Sequence, residues 1–350
     1  MTTSASDEQI TTGPIRIGAR QSPLARAQAD YVAALLAAAG AESTFVGITT
    51  TGDVDRRHLT EIGGTGVFAG AVRDALRNGA IDLAVHSLKD LPTAPVAGLA
   101  MAAIPVREDA RDVLIGRRLE DLGGARIGTG APRRALQLED FARQHGLSIE
   151  IVPIRGNVDT RLRLVRSGQV DAVVLAAAGL RRLGHLDLET PESTVTEIAG
   201  LPGQVLSYAV MLPAPGQGAL GLEISAALSN RVRTVITGLD DPVARAETLV
   251  ERGFLATLEA GCTAPVGAHA VVKSVRGTSL DLTLAAVIGR TLLSNLSEPT
   301  KSDPPIRVEL SGTTENPGQF GADAAGAVLP ELRGPHALAL TGEAEQENGR

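Results

Sequence analysis

The residues able to do chemistry in this sequence sit in a few short strings. Asp90 follows Lys89 in His86-Ser-Leu-Lys-Asp90, directly after the apolar run Ile81-Asp-Leu-Ala-Val85. A carboxylate at a strand end can face a developing cation or move a proton, and the same two residues can equally form a structural Lys–Asp pair. Lys89 is one of only three lysines, with Lys273 and Lys301, among 33 basic residues. Arginine count therefore carries little information, and position must carry it instead. Cys262, in Glu259-Ala-Gly-Cys-Thr-Ala-Pro265, is the single cysteine. A lone cysteine cannot form an internal disulfide and is commonly a small buried hydrophobe, whereas a glycine-flanked loop suits an accessible thiol nucleophile.

Arg133 and Arg134 lie in Gly128-Thr-Gly-Ala-Pro-Arg-Arg134. Pro132 opens a helix there, and the positive end of the helix dipole disfavours cations. A bound carboxylate would relieve that conflict, the alternative being a solvated basic turn. On this reading, leucine at either position should leave fold stability little altered. Arg155 occupies a strand-to-helix junction in Ile154-Arg-Gly-Asn157, with Asn157 as N-cap and Arg161 one turn further on. Arg20 closes the first strand, and Ser22 caps the helix after it. Arg181 and Arg182 make a contrast: they fall at a helix C-terminus, where cations are stabilised, and are expected on a solvated face.

Other chemistries find no support. The 6 histidines show no metal-ligand spacing, and one cysteine gives no zinc set, so no metal is expected. Neither a GxxxxGK[ST] phosphate loop nor a G-x-S-x-G hydrolase elbow is present. A net charge of −7 with 2% aromatic residues argues against nucleic acid as partner. Residues Met1 to Pro14 lack the basic and apolar regions of a secretory signal, and no apolar run reaches membrane length. The expectation is a soluble cytoplasmic protein with no membrane partner.

The elements that must position these residues follow from periodicity and punctuation. A strand at Ile15–Arg20, a helix from Pro23 to about Ala39 stopped by Gly40, and a strand at Ser43–Thr49 precede a glycine-rich stretch, 50–66, expected to be mobile. A helix Val67–Asn78 and the strand Ile81–Val85 complete an α/β unit with a largely parallel sheet. The pattern restarts after Asp112, with strands near Val113 and Arg126, a helix from Pro132 to about His145, the strand Ser148–Ile154, a helix through Arg161 and the strand Val170–Leu175. Beyond Pro213 come a strand at Ala219–Ile224 and a long helix opened by Asp241-Pro242 and running to about Glu259. Strands near Val266–Val272, Leu280–Ile288 and Ile306–Leu310 follow. A short helix near Asp323–Leu329, stopped by Pro330, closes a small α+β domain. Binding loops at strand ends would line a cleft between the two α/β units.

Several of these strings together resemble the porphobilinogen deaminase family along nearly the whole chain. They are Arg20-Gln-Ser-Pro-Leu-Ala25, Ala84-Val-His-Ser-Leu-Lys-Asp90, Arg155-Gly-Asn157 with Thr160-Arg161, Leu175-Ala-Ala-Ala-Gly-Leu180, Pro215-Gly-Gln-Gly-Ala219 and Gly261-Cys262. The resemblance implies an α/β fold of two solute-binding-protein-like lobes plus a smaller α+β C-terminal domain. The lobes would be 1–110 with 213–239, and 111–212; the third domain would be 240–341, and 342–350 a disordered tail. It also implies a dipyrromethane cofactor attached to Cys262 as a thioether. Asp90 would be the catalytic acid, with Lys89 beside it. Arg133, Arg134, Lys89 and Asp90 would hold the cofactor, and Arg20, Ser22, Arg155 and Arg161 the substrate, porphobilinogen, whose acetate and propionate suit bidentate arginine. The implied state is a monomer.

Two departures from the family pattern stand out. Gly63-Gly-Thr-Gly66 replaces a frequent Gly-Gly-Lys-Gly, with Glu61 in place of another lysine, although Arg56 and Arg57 lie nearby. Gly130-Ala131 replaces a frequent Ser-Ser pair. Two rival readings follow: a receptor for small anions without catalysis, and a relative that builds the cofactor but does not elongate it.

Overall fold

The structure, a computed structural model, describes residues 13–50, 69–187, 195–261, 264–293 and 304–333. Cys262, Glu61, Thr65, Arg56, Arg57, the glycine-rich stretch beyond Thr50 and the expected C-terminal tail lie outside the described residues. In chain order, β1 (Ile15–Arg20), α1 (Pro23–Ala38), β2 (Ser43–Ile48), α2 (Gly70–Arg77) and β3 (Leu83–Ser87) lead into a 3-10 turn, Leu88–Asp90, and β4 (Leu99–Ala103). Then come β5 (Asp112–Ile115), β6 (Arg126–Gly128), α3 (Pro132–Gln144), β7 (Glu150–Val152), α4 (Val158–Arg166), β8 (Ala172–Ala176), α5 (Ala177–Arg182), β9 (Val195–Ile198) and β10 (Leu201–Val205). The chain continues through β11 (Leu220–Ser225), α6 (Asn230–Thr237), α7 (Pro242–Thr257), β12 (Val266–Arg276), β13 (Ser279–Ile288), β14 (Ile306–Thr314) and α8 (Pro317–Arg333). It divides into two compact units, Met1–Glu108 with Gly218–Arg245, and Asp109–Gln217 with Ala246–Arg350.

The first unit is built on a sheet of order β2-β1-β3-β11-β4. β1 pairs in parallel with β2 and β3, but β11 runs antiparallel to both β3 and β4. The sheet is thus mixed rather than largely parallel, because the strand inserted between β3 and β4 arrives from much later in the chain. Val32 and Leu36 of α1 pack on one face, against Ile17, Leu83, Val85 and Leu222. Val72 and Leu76 of α2 pack with Ala84 and Ile81 on the other. With both faces covered, the first three residues of β3, Leu83-Ala-Val85, form an unbroken apolar run. Each fully buried leucine, such as Leu36 or Leu83, contributes about 1.5–3 kcal/mol.

The second unit holds a sheet of order β7-β6-β8-β5-β10-β9 and a three-stranded antiparallel sheet, β12-β13-β14. In the six-stranded sheet β6 is parallel to β7 and β8, while β5 and β10 run antiparallel to their neighbours. Leu162 of α4 packs on one face and Leu138 of α3 on the other. β9 and β10 form a hairpin that sequence patterning did not expect. Its two-residue loop, Ala199-Gly200, has positive φ at both positions (51 and 80°), the pattern of a type I′ turn, but alanine replaces the asparagine or aspartate that normally signals one.

In the smaller sheet Leu282, Leu284, Ala286 and Ile288 pack against Phe254 of α7, against Leu258 just past its end, and against Ala325 and Val328 of α8. The last helix differs from expectation. It starts at Pro317, capped by Asn316, whose Oδ1 accepts the Gln319 N–H (3.2 Å), and it passes through Pro330 to Arg333. Near a helix end the proline ring removes one donor without ending the helix, because packing of Ala325 and Val328 holds the turn in place. α7 and α8 touch backbone to backbone: a Cβ at Gly321 would lie 1.9 Å from the Val250 carbonyl oxygen.

Candidate active site

In the first unit β1 and β3 are parallel neighbours, so their C-terminal ends share one sheet edge. This edge brings together Arg20, Ser22, Lys89 and Asp90. Ser22 caps α1, its hydroxyl accepting the Ala25 N–H at 3.3 Å, and Pro23 fills the first turn. The Leu88–Asp90 turn is pinned from below: Leu88 and Leu91 are 1% and 4% exposed, and the Leu88 N–H donates to the Ala219 carbonyl (3.0 Å). Between those two anchors Lys89 is half-buried and Asp90 exposed.

Behind the turn lies a buried ionic cluster. Arg73 of α2 donates twice to Glu223 of β11 (2.8 Å each), and His86 Nε2 stands 3.1 Å from the same carboxylate. Burial works to raise the Glu223 carboxyl, but the adjacent His86 and the two bonds from Arg73 outweigh it and hold it at about 2.

In the second unit the C-terminal ends of the parallel strands β6 and β7 again share an edge, from which the loops into α3 and α4 arise. Gly130 and Ile154, one from each loop, come so close that a Cβ at Gly130 would lie 2.6 Å from the Ile154 carbonyl oxygen. The departure at Gly130-Ala131 thus has a steric basis, and the hydroxyl of Thr129 accepts the Ala131 N–H instead (3.2 Å). Asn157 caps α4 by accepting the Thr160 N–H (2.9 Å), and Arg161 Nε donates to the Gly156 carbonyl (2.9 Å). Arg155 is half-buried at the end of that loop.

Arg133 and Arg134 are only 4% and 5% exposed. The anion that relieves their unfavourable helix-end position is Asp112, the first residue of β5, which is completely buried. Its Oδ2 accepts Arg133 Nη1 and its Oδ1 accepts Arg134 Nη2, both at 2.8 Å. Arg134 Nη1 donates to the Val174 carbonyl (2.9 Å), and Arg134 Nε is buried with no hydrogen-bond partner among the described residues. Burial alone would raise the Asp112 carboxyl; the two guanidinium charges outweigh it and hold the group far below the usual carboxylate range. At Arg161 burial and then the like charge of Arg134 pull the guanidinium down to about 10. Arg133, Arg134 and Arg161 thus gather at this edge around the buried Asp112 carboxylate, and among the described residues Arg134 Nε is left without a hydrogen-bond partner. It can accept a further anion.

Two expectations need correction. Leucine at position 133 or 134 would strand part of a buried ion pair, so stability cannot be indifferent to it. Arg181 does not lie on a solvated face: its side chain is 8% exposed, with Nη2 3.2 Å from the Asp109 carboxylate, at the end of a short helix whose residues 177–180 are buried. Sequence reasoning also gave no role to Asp112 or to Gln217, whose Nε2 donates to Asp112 Oδ1 (2.9 Å). An acid heading the apolar strand Asp112-Val-Leu-Ile115 is the signal that could have found the first. Among the described residues no cluster of histidine, cysteine and acidic side chains could hold a metal ion, and no helix is long and apolar enough to cross a membrane.

Among solved structures the chain is similar to the periplasmic sulfonate-binding protein of a sulfonate ABC transporter from Methylobacillus flagellatus KT (13% identity, 71% of this chain and 68% of that one, TM-score 0.33). It is also similar to an ABC transporter periplasmic substrate-binding protein from Coxiella burnetii (15%, 65% and 92%, TM-score 0.36). The α/β assignment rests on the sheet topology itself. Residues 15–232 match the family described as "Porphobilinogen deaminase, dipyromethane cofactor binding domain", and 246–303 match "Porphobilinogen deaminase, C-terminal domain". "Porphobilinogen deaminase 1" of Streptomyces coelicolor is 48% identical over 342 residues, covering 96% of this chain and 100% of that protein. "Porphobilinogen deaminase" of Leifsonia xyli is 51% identical over 268 residues, 74% of this chain and 76% of that protein. With matches of this identity and extent, the chain belongs to the porphobilinogen deaminase family.

Proposed function

We propose that this chain is a hydroxymethylbilane synthase, a transferase of tetrapyrrole biosynthesis. It joins four porphobilinogen molecules head to tail with loss of ammonia, on a dipyrromethane primer carried by Cys262, and releases hydroxymethylbilane by hydrolysis. The observation that carries this reading is the arginine-rich edge of the second unit, where a buried Arg134 Nε has no hydrogen-bond partner among the described residues and where burial, and then the like charge of Arg134, disfavour the Arg161 cation. Those cations fit a carboxylate-bearing pyrrole group. When bound, the dipyrromethane supplies a nucleophilic pyrrole α-carbon for chain growth.

The side chains then divide the work. Cys262 is the attachment point, a thiolate being a strong carbon nucleophile. Arg133, Arg134, Lys89 and Asp90 hold the cofactor, while Arg20, Ser22, Arg155 and Arg161 bind the acetate and propionate of porphobilinogen. Asp90, exposed at the tip of its pinned turn, stabilises the cation left when ammonia departs and takes up the proton released after the carbon–carbon bond forms. We place these roles in three domains, 1–110 with 213–239, 111–212 and 240–341. The protein acts as a cytoplasmic monomer without nucleic-acid or membrane partners, a reading supported by the lone cysteine and the net charge of −7.

Intact-mass measurement of the purified protein, together with porphobilinogen turnover, tests the proposal. The expected result is a chain heavier than its sequence by one dipyrromethane, active in bilane formation, and a Cys262→Ala variant of bare mass and no activity. A bare, inactive wild type would favour the anion receptor. A loaded chain that does not elongate would favour the relative with an altered 61–66 stretch.

A further inference from the structure

If the arginine-rich edge holds carboxylates as proposed above, we infer that Asp112 is a positioning residue of that edge. It aligns Arg133 and Arg134 for an anionic ligand, and Gln217 of the Pro215-Gly-Gln-Gly218 string fixes Asp112 in turn. Asp112 touches no reacting atom in this proposal; it acts through the two guanidinium groups.

The geometry argues for orientation rather than stability. The Asp112 carboxylate is completely buried and splits its oxygens between two arginines that follow one another in the first turn of α3. Without it, two adjacent like charges beside the positive end of a helix would turn away from each other and toward water. With it, Arg134 spends both terminal nitrogens, Nη2 on Asp112 and Nη1 on the Val174 carbonyl, so Nε is the donor left over. A buried ion pair is poor evidence for stabilisation, since apolar packing of similar volume does as well. Spending a charged triad here makes sense as a way to fix where donors point. Asp112 is fixed in its own right. Gln217 Nε2 donates both to Asp112 Oδ1 (2.9 Å) and to the Ala110 carbonyl (2.7 Å), which ties the carboxylate to the backbone just ahead of β5. Gly216 and Gly218 flank Gln217 with positive φ of 75 and 88°, conformations that glycine adopts without strain. A motif that the chemistry left without a task thus gains one.

The test compares Asp112→Asn, Gln217→Met and Asp171→Asn with the wild type, each as the full chain. Asp171 pairs with Arg126 in the same unit and serves as an ion-pair control away from α3. Three quantities are read on the soluble, folded fraction: the share of chains carrying dipyrromethane by intact mass, KM and kcat for porphobilinogen on the loaded share, and the melting temperature. Asp112→Asn should reduce loading or raise KM by about tenfold or more, the effect of one charge-assisted hydrogen bond, with kcat changing less. Gln217→Met should shift the same quantities in the same direction by roughly two- to fivefold, the effect of a neutral bond. Asp171→Asn should lower the melting temperature and leave loading and KM unchanged. Wild-type loading and KM in Asp112→Asn would overturn the inference, as would losses in all three variants that merely track the melting temperature. If Asp112→Asn yields no folded protein, Gln217→Met decides, and a wild-type result there is equally fatal. A wild type that neither carries the extra mass nor consumes porphobilinogen would instead overturn the proposed function.

Discussion

Replacing Arg134 with leucine withdraws a guanidinium from a carboxylate that has no access to water. Asp112 is completely buried and Arg134 is 5% exposed. The variant keeps Arg133 Nη1 and Gln217 Nε2 on Asp112 but loses the 2.8 Å bond from Arg134 Nη2. Breaking a buried pair by removing one partner costs about 3–5 kcal/mol. The surviving donors place this case near the lower bound, and about 3 kcal/mol corresponds to roughly 6–12 °C of melting temperature for a unit of this size. Calorimetry on the Cys262→Ala background keeps cofactor binding out of the comparison. The deficit should also depend on pH with a definite sign. In the wild type the folded Asp112 carboxyl lies below its unfolded value of about 3.9, so its stabilising share is complete above that value and fades only as pH falls through the folded one. In the variant burial is less opposed, the carboxyl moves up, and protonation relieves the stranded charge as pH falls. The gap between wild type and variant should therefore narrow on acidification. A loss under about 2 °C, or a gap that widens on acidification, would refute the buried-pair reasoning.

Asp90→Asn, assayed with cofactor in place, should lower kcat by about 10² to 10³ with KM nearly unchanged, since a charge facing a developing cation acts mainly in the transition state; retention of more than about a tenth of wild-type turnover would favour a structural Lys89–Asp90 pair. Arg161→Leu should behave oppositely to Arg134→Leu, weakening porphobilinogen binding while the melting temperature moves by no more than about 2 °C, because a single bond to the exposed Gly156 carbonyl is lost while the burial cost of the guanidinium and its like-charge contact with Arg134 are relieved. A large thermal loss there would count against the strained-cation account. Gly130→Ser, which restores a hydroxyl common in the family, should cost about 1–3 kcal/mol in thermal unfolding, since its Cβ would press on the Ile154 carbonyl 2.6 Å away; unchanged stability would show that the two loops can part freely.

Much of the fold was legible where a local signal agrees with its surroundings. Ser22-Pro23, Asn157 and Asp241-Pro242 announce helix starts, and each makes the capping bond its residue type suggests. The failures are equally local. The helix start at Asn316-Pro317 carries the same signature as Asp241-Pro242, yet Pro330 drew attention as a stop and hid how far the helix extends. β4, reading Leu-Ala-Met-Ala-Ala, has neither alternation nor β-branched residues, and it is a strand because β11 pairs with it.

For the candidate site, sequence alone determined which residue types stand at the strand ends: Arg20 and Ser22 after β1, Lys89 and Asp90 after β3, Arg133 and Arg134 after β6, and Arg155 and Arg161 around the start of α4. Type and position along the chain follow from patterns a few residues long, and sequence records these directly. What a charge faces is decided by residues far away in sequence. Asp112 lies 21 positions before Arg133, and Gln217 a further 105 positions from Asp112. Only the folded sheet brings them together, turning two arginines that looked exposed into a buried, oriented pair. It likewise turned Arg181 from a surface residue into a partner of Asp109. Burial and pairing energies depend on three-dimensional neighbours rather than on local spacing, so tertiary structure alone could assign them.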